Sequence, residues 1–131
     1  MRILIAEDDA SSARYMEGLM GRFGECVVTS DGEQAVAAFR QAHDEGWPFQ
    51  LVCLDVMMPN KDGQVALQEM RALEKELGVK SSQEVKVIMT TALGDVRSVM
   101  GAYKEGATAY VTKPILPERM FETLRNLGVS A

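Results

Sequence analysis

Long hydrophobic runs are missing from this chain, and none approaches the roughly 18 residues that a membrane span requires. The N-terminus also lacks the charged, apolar and small-residue layout of a secretion signal. The expected address is therefore the cytoplasm, with no membrane partner. A basic excess is missing too: 14 Lys and Arg against 19 Asp and Glu leave a net charge of −5, which disfavours direct binding to nucleic acid. Cysteine is scarce. Cys26 and Cys53 lie in short apolar runs, where two buried, reduced thiols are a simpler expectation than a disulfide or a metal site. The single histidine, His43, has no partner at ligand spacing and falls near the end of a helical pattern, beside terminal carbonyls. No glycine-rich phosphate loop follows the first apolar run, which excludes a nucleotide-binding domain of that type. Repeats and low-complexity stretches are absent, and the most polar connection, Lys80–Glu84, is too short to be a domain linker.

What remains is the profile of an ordinary globular protein. Its 131 residues suit one domain, and 47% hydrophobic content is enough for a real core. Short runs rich in Val, Ile and Leu predict strands at Ile3–Ala6, Cys26–Thr29, Leu51–Leu54, Val85–Thr90 and Ala109–Val111. Their near-continuous apolarity predicts a parallel sheet covered on both faces. Helical patterns alternate with them. Ala13, Met16, Met20 and Phe23 form one stripe. Asp31 opens a second helix with Gln34 as its capping-box partner, and Ala35, Ala38, Phe39 and Ala42 form its apolar face. Ala66, Met70, Leu73 and Leu77 mark a third, stopped by Gly78. Val96, Val99, Met100 and Tyr103 mark a fourth, stopped by Gly106. The fifth starts near Pro117 and carries Met120, Phe121, Leu124 and Leu127. The sum is (βα)5, an open, doubly wound α/β sheet. The reactive crevice of such a sheet lies at the carboxyl ends of its strands.

Chemistry gathers at those ends. The first strand runs into Glu7-Asp8-Asp9, the third into Asp55, the fourth into Thr90-Thr91, and the fifth into Thr112-Lys113. Any one acidic residue here could simply cap the next helix. Asp55 is harder to explain that way, because a carboxylate closing a buried strand is costly unless it is paired or bound to a metal. Clustered carboxylates repel unless a cation joins them, and hard oxygen ligands suit Mg²⁺. Phosphoryl transfer needs in-line positioning, a metal and a cation on the equatorial oxygens. In such a site Asp55 would be the nucleophile, Lys113 would neutralise developing charge, and Thr91 would hydrogen-bond a phosphoryl oxygen.

The blocks ILIAEDD, LDVMMPNKDG, MTTA and GATAYVTKP resemble the signature blocks of the response-regulator receiver domain, in order and at the matching strand ends. The resemblance spans essentially the whole chain. It implies a flavodoxin-like strand order 2-1-3-4-5 and a cis peptide before Pro114. It also implies Asp55 as phosphoacceptor, with Asp8 a direct Mg²⁺ ligand, Glu7 acting through water, and the backbone carbonyl of Met57 as a further ligand. Thr91, which precedes the small Ala92, matches the switch hydroxyl; Tyr110 matches the switch aromatic and Lys113 the family's lysine. The implied strand order puts Cys26 and Cys53 two strands apart, roughly 10 Å at sheet spacing. A disulfide does not reach that far.

By resemblance the chain is a stand-alone receiver over residues 1–131 with no effector domain. It would take its phosphoryl group from a histidine kinase or phosphotransfer protein in a two-component relay. It would then switch the face built from the fourth helix, fifth strand and fifth helix to control a downstream protein. Its only catalysis would be its own phosphorylation and dephosphorylation. Met57 and Leu93 occupy positions that vary in the family and modulate phosphoryl lifetime. A haloacid-dehalogenase-type phosphatase also uses an aspartyl nucleophile, but it needs a second acid where Met57 stands, and a cap segment. A degenerate, binding-only receiver is disfavoured by the complete set Glu7, Asp8, Asp55, Thr91 and Lys113.

Overall fold

Each of the five apolar runs forms a strand: β1 (Arg2–Ala6), β2 (Glu25–Thr29), β3 (Leu51–Asp55), β4 (Lys86–Ala92) and β5 (Ala109–Lys113). The computed structural model describes residues 1–92 and 106–129. Among these, the connecting helices are α1 (Ala10–Met20), α2 (Gly32–Asp44), α3 (Gly63–Glu76) and a C-terminal helix (Pro117–Asn126), with a short 3-10 turn at Ser81–Gln83. The strands pair in the order β2-β1-β3-β4-β5, all in parallel, as the resemblance implied. The peptide before Pro114 is cis. No described helix is long and apolar enough to cross a membrane.

Alternation along the strands divides the core in two. Leu4, Val52, Leu54, Val87 and Met89 face Phe39, Ala66, Leu67 and Met70 of α2 and α3. Ile3, Ile5, Leu51, Cys53, Ile88 and Val111 face Met16 and Met20 of α1 and Met120 and Leu124 of the C-terminal helix. Covering on both faces explains the near-continuous apolarity of the central strands. The outer strands β2 and β5 are only partly covered. Cys26 and Cys53 are free thiols with β1 between their strands. Burial pushes the Cys53 thiol up to about 12, so it stays neutral.

Several local expectations shift. Strand β4 runs on to Ala92 and β5 to Lys113, so Thr91 and Lys113 are strand residues rather than the first residues of loops. Phe23 lies in the turn after α1, partly buried against the second core. Asp31 caps α2 by accepting from the Gln34 amide at 2.7 Å. The Gln34 side chain does not return the bond to Asp31, as a capping box requires. It accepts instead from the amide and hydroxyl of Ser30, at 3.0 and 3.1 Å. His43 ends α2 with its ring edge-on to Phe39, a packing role. Gly78, just past the end of α3, has a positive φ of 73°, and Gly106 has one of 101°. The fourth helical pattern, Val96 to Tyr103, and Leu93 lie outside the described residues.

Candidate functional site

The same alternation that sorts the core sets the site. Glu7 continues the parity of Ile3 and Ile5, Asp55 that of Leu51 and Cys53, and Lys113 that of Val111. All three therefore leave the sheet on the α1 side, at the carboxyl end of neighbouring or near-neighbouring strands. Lys113 Nζ donates to Glu7 Oε1 at 2.9 Å and to Asp55 Oδ2 at 3.1 Å. Glu7 is 5% exposed and Asp55 4%, so the pair of carboxylates is withdrawn from water. Asp8 is exposed, and oxygens of Glu7, Asp8 and Asp55 all lie within 4.8 Å of one another.

Backbone bonds hold these groups in place. The Glu7 amide donates to Thr29 O at 3.0 Å, tying the end of β1 to β2. Asp9 then caps α1, accepting from the Ser12 amide at 2.9 Å and its hydroxyl at 2.7 Å. Of the three consecutive acids, the last is thus the helix cap, which leaves Glu7 and Asp8 for the site. At β3, Val56 N donates to Thr90 O at 3.0 Å, and Asp55 Oδ1 accepts a long 3.3 Å bond from the Met57 amide. The Met57 side chain is 65% exposed.

Two glycines and an asparagine fix the loop after Asp55, and sequence reasoning gave them no role. A Cβ on Gly63 would lie 2.2 Å from the Asp55 carbonyl oxygen, so only glycine lets α3 start against the Asp55 backbone. A Cβ on Gly32 would lie 2.1 Å from Lys61 O. Asn60 has φ 66° and donates from its side chain to Asp31 Oδ2 at 2.8 Å, docking the loop on the start of α2. The available signal was Gly63 itself, a poor helix former placed directly after the Asp62 cap.

The electrostatics are those of an underneutralised acid cluster. Burial raises the Glu7 carboxyl above its ordinary range, and the nearby Asp55 carboxylate adds to this, while Lys113 pulls it back. Burial alone would lower the Lys113 ammonium, but its bonds to Glu7 and Asp55 outweigh that and raise it. Among the described residues, three carboxylates face one ammonium. Glu7 Oε2 is buried with no hydrogen-bond partner. Oxygen-only donors, excess negative charge and an orphaned carboxylate oxygen fit a small hard cation such as Mg²⁺.

Thr91 is 2% exposed, and its hydroxyl is buried without a partner. Register pairs Asp55 with Thr90, and Thr91 is one residue further on, with the parity of Val87 and Met89. The structure therefore brings Glu7, Asp8, Asp55 and Lys113 together and keeps the Thr91 hydroxyl out of their hydrogen bonds. Tyr110 is exposed on β5, beside Met89 of β4.

Comparison with known proteins points to one family. The model described as "Response regulator receiver domain" matches residues 3–125. A probable transcriptional regulator, ycf27, from Cyanophora paradoxa is 35% identical over 127 residues, which is 96% of this chain and 47% of that protein. This chain thus spans about half the length of such relatives. Among solved structures, a CheX–CheY–BeF3–Mg complex from Borrelia burgdorferi aligns with TM-score 0.82 at 23% identity, covering 99% of this chain and 90% of that one. The receiver domain of the histidine kinase CKI1 from Arabidopsis thaliana, complexed with Mg²⁺ and BeF3⁻, aligns at 0.80 and 22% identity, covering 97% and 89%. At those identities the structural matches speak to the fold alone; the family-model match over residues 3–125 goes further. The chain belongs to the response regulator receiver domains of two-component signalling.

Proposed function

We propose that Asp55 accepts a phosphoryl group from a phosphohistidine of a kinase or phosphotransfer protein. A carboxylate oxygen of Asp55 would attack phosphorus, forming an O–P bond as the P–N bond to imidazole breaks. The leaving imidazole takes a proton. The observation that carries this is the Lys113 ammonium, bonded at once to buried Glu7 and Asp55. Bonded to Asp55, that ammonium would lie beside the transferred group and offset the negative charge developing on it. Glu7, Asp8, Asp55 and the Met57 carbonyl would hold Mg²⁺, which when bound offsets carboxylate and phosphoryl charge. The Thr91 hydroxyl, buried without a partner, would bond a phosphoryl oxygen.

Movement of Thr91 would then pass to Tyr110 on the adjacent strand, and so to the face formed by the fourth helical pattern of the sequence, β5 and the C-terminal helix. A protein target would read that face. The chain would act as a single receiver unit in the cytoplasm, its catalysis limited to its own phosphorylation and dephosphorylation. Acetyl phosphate labelling followed by intact mass tests the first step. One phosphoryl adduct is expected with Mg²⁺, and none with Asp55→Asn or with chelator. An adduct that survives either change would remove Asp55 or the metal from the site, and no adduct at all would leave a binding-only receiver.

A further inference from the structure

Lys113 is the last residue of β5, and β5 is an edge strand. It pairs with Ala92 of β4 on one side and with no described strand on the other. The chain then leaves through Pro114 and Ile115. On the α1 side Ile115 packs, partly buried, against the second core, while Pro114 is exposed. A cavity of about 320 Å³ lies there, lined by Ile5, Met16 and Cys53 beneath and by Lys113, Pro114 and Ile115 at the edge. Across that space runs one defined tie: the Tyr15 hydroxyl donates to Ile115 O at 2.8 Å. Tyr15 is 45% exposed and lies off the buried stripe of Ala13, Met16 and Met20, so its ring is not needed for the core. Its helix is fixed independently, by that stripe and by the Asp9 cap.

We propose that Tyr15 is a positioning residue for Lys113, strapping the Pro114–Ile115 backbone to α1 so that the ammonium stays between Glu7 and Asp55. The inference rests on the phosphoacceptor role of Asp55 for its consequence, though not for its geometry. Tyr15→Phe keeps the ring and deletes the strap. An exposed hydrogen bond adds little to global stability, so the melting temperature should hold. Phosphorylation by acetyl phosphate should slow about threefold to tenfold, the range of one net hydrogen bond. Glu7, Asp8 and Asp55 lie outside the strapped segment, and a loosened ammonium competes less for Glu7 and Asp55, so Mg²⁺ affinity by calorimetry should hold or rise, not fall. In a Lys113→Ala background, Tyr15→Phe should slow nothing further. An unchanged rate, a fall in Mg²⁺ affinity in step with the rate, or equal slowing in the Lys113→Ala background would each overturn the proposal. If the unsubstituted chain takes no label, the phosphoacceptor reading fails, and NMR of the Lys113 ammonium decides the strap alone. A shifted Lys113 signal in Tyr15→Phe is expected, and an unmoved one refutes the strap.

Discussion

Three residues of the site differ in what they hold, and so should fail differently. Lys113 bonds to both Glu7 and Asp55, whereas the Thr91 hydroxyl is buried without a hydrogen-bond partner. Lys113→Ala should therefore slow phosphorylation by about 100-fold or more, the scale of a lost electrostatic donor. Thr91→Ala should label at close to the normal rate yet fail to change the β4–β5 face. Parallel labelling, with amide exchange of β5 before and after, separates them; equal loss of labelling would contradict the division. Gly63 fails by sterics. With a Cβ 2.2 Å from the Asp55 carbonyl, Gly63→Ala must displace either α3 or the end of β3. Overpacking of this kind costs about 1–3 kcal/mol, read as a lower denaturant midpoint, and here Mg²⁺ affinity should fall with it. A variant with normal stability and normal metal binding would show that the loop yields freely.

At the scale of elements, the loop after Asp55 is held to α2 by Asn60 on Asp31 and by the Gly32–Lys61 approach. Asn60→Ala should leave the five strands intact but loosen that loop, seen as faster amide exchange at Met57–Asp62 with β1 unchanged. Equal protection in both proteins would mean the tether is ornamental. This tether also marks the limit of what sequence could show. Two-sided burial and the meeting of Glu7, Asp55 and Lys113 at one sheet edge follow from apolar runs, alternation and parallel connection, and were legible, whereas the strand order came from the family resemblance. Asp31 was legible as a cap from its spacing to the helix, because capping is local. Its second bond, to Asn60 29 residues away, was not, since nothing local encodes it. For the same reason Gln34 was misassigned: the pattern specifies a reach back to the cap, and Ser30 offered two donors one residue earlier. The ends of β4 and β5 were placed short because Thr91, Thr112 and Lys113 are polar, and pairing with the neighbouring strand carries them into the sheet regardless.

The whole molecule carries the cost of its site. Glu7 is the clearest case: its raised carboxyl means the folded chain binds that proton more tightly than the unfolded chain does. Stability from this group is thus present below its unfolded pKa and is lost as pH rises through the raised folded value. Asp9 and Asp31 act in the opposite sense. Bonds from Ser12 lower Asp9, and bonds from Gln34 and Asn60 lower Asp31, so their contribution is present above the unfolded pKa and fades as pH falls through the lowered values. The metal-free protein should therefore lose part of its stability as pH rises through the raised Glu7 value, and Mg²⁺ should restore it. At 100 times the dissociation constant the gain is about 2.7 kcal/mol. Glu7→Gln removes the buried charge, so without Mg²⁺ its melting temperature at neutral pH should exceed that of the unsubstituted chain. Its response to Mg²⁺ should be weaker. Thermal melts of both proteins across pH, with and without Mg²⁺, check this directly. A Glu7→Gln protein that melts lower in chelator would show that the Lys113–Glu7 bond stabilises the fold more than the buried carboxylate strains it.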